Sequence, residues 1–441
     1  MEKIDYKISK IDIFILAWFS FTGMFNGIFD FVLFSTMEKV VIDTLIIMIG
    51  YYSKRNKLKV RLQYIVLFSF FITNTFVFLI YFNNHNHYGV ILLLKNTILT
   101  MLVIFIYFSL FLFYKDSVMD SKIIKLFRIQ VIIQLLIFII YILFNKRNGV
   151  LGRTIIQTIV LQDWNARFQG SFSEPACLGF WIGTFILIPF VLKLNERYIF
   201  CVIGVVILYF YCKAKFAMLA LPIAILLSLV PGSRYKKTIL PTVAIFSVFI
   251  CVIALFYNII TYNFFHKFSQ FIKADGSATY VTRFAFIFSA IDNICFFPIG
   301  TGIGSNYEYF QNIYTNYLPI ISKINLETWE LLLYKNIPSC LGSKETFSYI
   351  LCNFGFIGLW IYLILCLRIL HDNTKKSNRI LILFIVIESL ISSNIFSSNA
   401  FFCVLFSVMA LNTSKKGVSY NYSKKNPKIS FLFRILLQSR F

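Results

Sequence analysis

An arginine, a glutamate and a proline stand together just before a hydrophobic run near the middle of the sequence. Arg167, Glu174 and Pro175 lie in the stretch RFQGSFSEPACLG, and the apolar run begins at Ala176. A charge at the edge of a membrane helix is costly unless it is paired or hydrated, so two charges there point to a binding function or to a structural ion pair. Arg167 also fits an arginine that extends its charge to the head-group level. Proline suits the first turn of the helix that follows.

Further cations lie in segments where a membrane protein seldom places them. Lys213 and Lys215 occupy the short turn YCKAKF between two apolar runs, and Arg283 opens the apolar stretch RFAFIFSAIDNICFF. We predict below that these segments are extracytoplasmic, the side on which lysine and arginine are depleted. Several cations on that side indicate that an anion is bound.

The composition is typical of an integral membrane protein. Of the 441 residues, 59% are hydrophobic and 14% are charged, too few charges for the surface of a soluble domain of this size. Runs of about twenty apolar residues, enough to cross roughly 30 Å of hydrocarbon, recur along the chain. We predict an all-α polytopic protein with about twelve spans. The predicted spans are 11–29, 33–52, 62–82, 90–113, 125–144, 176–192, 198–212, 216–231, 238–260, 346–368, 380–396 and 399–412.

The placement of the basic residues predicts the orientation. The net charge of +23 is scattered over short loops instead of massed on one face, so nucleic acid is not an expected partner. Most lysines and arginines fall on one side if both termini are cytoplasmic. We expect a single transmembrane domain over 1–412, with extracytoplasmic segments 145–175 and 261–345. The basic tail 413–441 should contact membrane lipids on the inner leaflet.

Other motifs predict less specific roles. The histidines and cysteines show no ligand spacing, so no metal site and no cofactor is expected. The turn GTGIGSNY lacks the GK[ST] ending of a nucleotide-binding loop and is interpreted as a tight turn. Glu388 lies inside a predicted span, where a carboxylate is either functional or part of a hydrogen-bonded helix contact.

Taken together, these motifs resemble a known family, the O-antigen polymerases (Wzy-type) and the related O-antigen ligases. The similar features are the twelve spans, Arg-x-x-Gly-x-x-x-Glu-Pro before a span, a large late loop with Gly-x-Gly-x-Gly, and GFIG at 355–358. The resemblance implies a GT-C-like, inverting, metal-independent glycosyltransferase of the bacterial cytoplasmic (inner) membrane. Its partners would be undecaprenyl-diphosphate-linked oligosaccharides as donor and acceptor, and a chain-length regulator is compatible with it.

The same resemblance implies roles for individual residues. Arg167 and Arg283 would bind the diphosphate, and Lys215 would replace an arginine of the ligase motif Ser-Arg-Gly-Ala. Lys344 stands where ligases place a histidine, and the absence of that histidine favours a polymerase over a ligase. Lys344 would also face the diphosphate. Because the attacking hydroxyl needs a general base, Glu174 and Glu345 are both catalytic candidates, and the sequence does not rank them.

Two other functions remain open at this point. A ligase would perform the same chemistry with a different acceptor. A flippase or another transporter would place charges along a central path, often with two halves related as repeats, and we find no such repeat.

Overall fold

The helices of the protein occupy the positions that the apolar runs predict. The computed structural model describes residues 8–25, 36–54, 62–83, 90–145, 175–229, 263, 266–267, 278–303, 318–319, 321–322, 326, 328, 331–332, 346–391 and 398–415. All regular secondary structure in these residues is helical.

The helices are numbered here in chain order. They are α1 (Lys10–Met24), α2 (Thr36–Lys54), α3 (Leu62–Asn83), α4 (Val90–Tyr114), α5 (Ser121–Asn145), α6 (Pro175–Leu192), α7 (Arg197–Val206, continued as the π-helix Ile207–Cys212), α8 (Lys215–Leu227), α9 (Ala278–Phe296), α10 (Thr346–His371), α11 (Lys376–Ile391) and α12 (Ser398–Lys415). A helix therefore stands at each predicted span except 238–260, which lies outside the described residues.

The length and composition of the described helices are consistent with a membrane protein. Three segments are long and apolar enough to cross a bilayer, namely Thr97–Tyr114, Ser121–Leu143 and Thr346–His371. Several shorter helices are also apolar, among them Ala176–Leu192 and Ala400–Lys415. Apolar side chains also cover much of the outer surface, as at Val202 and Leu136, which are 64% and 53% exposed. Such a surface is suited to a lipid bilayer, because apolar side chains are favourable against hydrocarbon and unfavourable against water.

Helix α6 lies at the centre of the larger hydrophobic core. It packs against α7, α8, α11 and α12, while α1 joins the same core through α12. Gly183 allows the closest of these approaches, because a Cβ at this position would overlap the ring of Phe384 on α11. Small residues at helix contacts are the usual way in which membrane helices pack tightly.

A smaller core joins α9 to α10. It includes Val281, Phe286 and Ile294 of α9 and Ile350 and Leu351 of α10. The sequence predicts a helix-like stretch starting at Arg283, whereas α9 begins at Ala278 and Arg283 lies in its second turn. Part of the predicted late loop thus belongs to the packed helix bundle.

Candidate functional site

Two of the six predicted site residues belong to the described part of the chain. These are Lys215, the first residue of α8, and Arg283, in the second turn of α9. Arg167, Glu174, Lys344 and Glu345 lie outside the described residues.

The turn that carries the two lysines has a fixed backbone. Lys213 adopts a left-handed conformation with φ 50°, and its N–H donates to the carbonyl of Leu208 over 2.9 Å. The hydroxyl of Tyr209 donates to the carbonyl of Met218, so the π-helical end of α7 is tied to α8. Lys213 and Lys215 are both exposed on this turn. We call residues 213–215 the lysine turn.

Lys215 occupies an unfavourable position for a lysine. A helix begins with a partial positive charge, which favours acidic side chains, and no acidic residue is present in the first turn of α8. The charge of Lys215 therefore adds to the potential of the helix end instead of offsetting it. A positive potential of this kind attracts anions.

Arg283 lies beside the lysine turn through its contact with Phe216. The guanidinium carbon is 4.9 Å from the centre of the Phe216 ring, and Arg283 is only 5% exposed. An arginine stacked on an aromatic ring gains a cation–π interaction that helps to offset the loss of water. The structure thus brings Arg283 next to the residue that follows Lys215, although the two are far apart in sequence.

A hydrogen-bonded contact with α10 fixes the far end of α9. The side-chain amide of Asn293 donates to the carbonyl of Cys352 over 3.2 Å, and both residues are fully buried. The chain then turns at Gly300 and Gly302. Thr301 and Gly302 donate their backbone N–H groups to the carbonyls of Cys352 and Asn353, over 2.8 and 2.9 Å.

These bonds satisfy carbonyl groups that lie just before a break in α10. Gly355 has φ 58° and ψ −154°, which interrupts the helix and leaves nearby carbonyls without helical partners. A side chain at Gly355 would overlap the carbonyl of Pro298, and the N–H of Phe356 donates to that same carbonyl. The glycines at 300, 302 and 355 therefore let two backbones touch, which is more specific than the simple tight turn that the sequence suggests.

The turn also reaches the middle of α3. Ile303 donates its N–H to the hydroxyl of Thr75 over 2.6 Å, and the amide of Asn74 donates to the carbonyl of Gly300 over 2.8 Å. A Cβ at Gly302 would meet the backbone of Thr75. With its far end held by α3 and α10, α9 is a fixed support for Arg283.

Helix α6 begins at the same end of the bundle as the lysine turn. As predicted, Pro175 occupies its first turn. A Cβ on Gly179 would lie 2.5 Å from the Cβ of Ala214 and 3.1 Å from that of Ala217. Pro175, which follows Glu174 in the sequence, therefore precedes by one helical turn the residue Gly179, which contacts the lysine turn.

The structure places Glu388 in the interior of the bundle. It is 1% exposed near the end of α11, and its neighbour Ser389 is 2.9 Å from the hydroxyl of Tyr362 on α10. A hydrogen bond thus joins α10 and α11 next to Glu388, but it is made by Ser389 and not by the carboxylate. Within the described residues, no three His, Cys, Asp or Glu side chains are grouped as metal ligands would be.

Sequence reasoning missed Phe216 as a partner of Arg283. The available signal was an aromatic residue directly after a predicted anion-binding lysine. In an apolar chain with 52 phenylalanines that signal is weak, because any of them fits a core position. The contact between two distant helices makes this one specific.

Comparisons with known proteins add no assignment. Neither a protein-family model, nor a curated protein, nor a solved structure matches the chain.

Proposed function

We propose that the protein polymerises undecaprenyl-diphosphate-linked oligosaccharide repeat units into O-antigen or a related surface polysaccharide. The proposal rests on the motifs that resemble the O-antigen polymerases. The observation that supports it most is the position of Arg283 over the ring of Phe216, because Phe216 directly follows Lys215, another predicted cation.

The proposed reaction is an inverting glycosyl transfer. A hydroxyl oxygen of the acceptor sugar attacks the anomeric carbon of the donor, and the bond from that carbon to the diphosphate oxygen breaks. The lipid diphosphate leaves with the bonding electrons, while Glu174 or Glu345 accepts the hydroxyl proton. Fixed cations stabilise the departing charge more in the transition state than in the ground state.

In this proposal Arg283 and Lys215 bind the diphosphate together with Arg167 and Lys344. Burial of Arg283 strengthens its interaction with an anion, because charges attract more strongly where water is excluded. The stacked ring holds the guanidinium in place before the substrate arrives. Preorganisation of this kind is the usual source of electrostatic catalysis.

The proposed topology follows from the same site. The lysine turn and the beginning of α6 face the outside of the cytoplasmic membrane, and about twelve helices cross the bilayer, with both termini inside. The opposite end of the bundle then faces the cytoplasm. It contains the basic turns around Lys115, Lys193 and Lys375.

The deciding experiment mixes the purified full-length protein with lipid-diphosphate-linked repeat units and follows chain growth by gel electrophoresis. We expect a ladder from the wild type and from Lys122→Ala, a control at an exposed lysine of α5. We expect little or no ladder from Arg283→Ala and a weaker one from Lys215→Ala. Full-rate ladders from both site variants, or none from the wild type, contradict the proposal.

A further inference from the structure

An apolar groove opens between α5, α6 and α7. About 480 Å³ of space lies between its walls and in front of its open mouth. Its walls include Leu135 of α5, Trp181 and Phe185 of α6, and Ile203 and Ile207 of α7. Gln134 contributes the polar side chain among these lining residues.

The walls of the groove are rigid. The rings of Trp181 and Phe185 stack at 3.8 Å, and Phe185 stacks in turn on the buried Phe127 at 4.4 Å. Gly204 forms part of the lining, and a Cβ there would lie 2.5 Å from the side chain of Ile186. The groove is therefore a feature of the packed helices and does not depend on a flexible loop.

The chemistry of the groove selects hydrocarbon. A sugar hydroxyl placed there would lose its hydrogen bonds to water and find almost no replacement, which is costly. A hydrocarbon chain loses nothing of this kind and gains close contacts with the walls. The neighbouring residues Ile132, Leu136 and Val202 are exposed and apolar, so the mouth opens onto a surface suited to lipid.

The two ends of the groove differ in charge. At one end, one turn beyond Val131 and Phe200, Arg128 and Glu196 form an ion pair between α5 and the turn before α7. At the other end, Leu178 lines the groove, and its neighbour Gly179 packs against Ala214 of the lysine turn. From Leu178 to Ile186 the groove extends ~12 Å at the rise of an α-helix.

We infer that this groove binds the first isoprene units of the lipid diphosphate, those nearest its head, with the diphosphate at the lysine turn. The inference rests on the proposed function and deepens it by assigning a place to the lipid half of the substrate. A single groove fits a single chain, whereas a phospholipid has two chains and would leave one outside. The charge also agrees, because the lysines of the lysine turn would lie next to the anionic diphosphate at the head of the lipid.

The test measures binding, so it does not depend on turnover. The full-length protein in nanodiscs is saturated with labelled undecaprenyl diphosphate, which is then displaced by farnesyl diphosphate or by inorganic diphosphate. With wild type, we expect farnesyl diphosphate to displace the label at a concentration more than tenfold lower than inorganic diphosphate does, because its short chain also occupies the groove.

Two pairs of variants make the test specific. Ile203→Trp and Leu135→Trp fill the groove, while Val202→Trp and Leu136→Trp place the same ring on the exposed faces of the same helices. We expect the advantage of farnesyl diphosphate to fall below about twofold in the first pair and to persist in the second. Thermal unfolding of each variant identifies any that fails to fold. The remaining groove variant, compared with the surface control on the same helix, then decides.

The inference is overturned if both pairs retain the full advantage of farnesyl diphosphate. It is also overturned if excess phosphatidylglycerol displaces the labelled lipid as well as farnesyl diphosphate does, since the groove would then hold an ordinary membrane lipid. If the expected binding pattern appears but no polymer forms, the groove is supported and the proposed reaction fails. If polymer forms but filling the groove leaves the advantage of farnesyl diphosphate unchanged, the proposed reaction is supported and the groove inference fails.

Discussion

The two ends of the helix bundle hold their charged side chains in different ways. At one end, here called the paired end, Lys54 lies 2.9 Å from the carboxylate of Asp12, and Tyr114 donates a hydrogen bond to the same carboxylate. Both charged residues are buried. At the other end, here called the Arg283 end, the guanidinium lies on the ring of Phe216 and two lysines are exposed on the turn beside it.

The difference separates charges that hold the fold from charges that the proposed reaction uses. At the paired end, Asp12 also accepts the N–H of Ser9 in a capping box, so α1, α2 and α4 meet at one carboxylate. Lys54 adds a bond to the carbonyl of Phe113. At both ends an aromatic ring supports the cation, since Lys54 Nζ is 4.4 Å from the centre of the Tyr114 ring. At the Arg283 end, a helix also begins beside the arginine. We therefore expect substitutions at the paired end to lower stability and those at the Arg283 end to lower activity.

The largest effect should come from Lys54→Met at the paired end. It leaves the carboxylate of Asp12 buried without its ion-pair partner, which we expect to lower the free energy of unfolding by about 3–5 kcal/mol. Thermal unfolding in detergent measures the change. The double variant Asp12→Asn/Lys54→Met should recover much of the loss, because no buried charge remains. A single variant as stable as wild type would show that this carboxylate is hydrated.

Arg283→Ala should produce the opposite pattern. We expect the rate of polymerisation to fall about 10²- to 10³-fold, as when one preorganised donor to a developing anion is removed. Its unfolding temperature should fall less than that of Lys54→Met. Initial rates with lipid-linked repeat units measure the first quantity. If stability falls as far as in Lys54→Met while the folded fraction retains its rate, Arg283 is structural and the comparison of the two ends is wrong.

Phe216→Leu should have a smaller effect at the same end. The loss of a cation–π contact worth about 1 kcal/mol would lower the rate about fivefold, through a less fixed arginine. Phe216→Tyr retains the ring and serves as the control, with a rate near that of wild type. Equal rates for the leucine and tyrosine variants would mean that the ring does not position Arg283.

The smallest effect should come from Arg128→Gln. The ion pair between Arg128 and Glu196 is partly exposed, with side chains 25% and 22% accessible, so water weakens it. We expect a loss of at most about 1 kcal/mol in stability and no change in rate. Thermal unfolding at low and high salt checks this, since salt should reduce the difference between variant and wild type.

Local patterns predicted the elements of the fold but not their neighbours. Apolar runs gave the positions of α4, α5 and α10 because the length needed to cross hydrocarbon is fixed. Pro175 marked the beginning of α6 because proline lacks the N–H that a first turn leaves unused. The beginning of α9 was misplaced, because the apolar pattern before Arg283 is short and ends in polar residues.

Contacts between distant segments left no readable signal. The glycines at 300 and 302 were visible as a turn, but nothing near them indicates Thr75 or the break at Gly355. Arg283 was recognised as a cation, while its stacking partner Phe216 was one phenylalanine among many. The groove between α5, α6 and α7 was not predicted at all, because it exists only where the side chains of three helices meet.

The sequence by itself determined the helical class, the apolar character typical of a membrane protein and the positions of most described helices, because hydrophobicity and chain length act locally. Only the tertiary structure decided that α9 is fixed to α3 and α10, that Arg283 lies beside the lysine turn, and that an apolar groove opens between α5, α6 and α7. The physical reason is that any helix of sufficient length and apolar character is equally suited to a bilayer. Which helices become neighbours depends instead on small residues, hydrogen bonds and the fit of side chains.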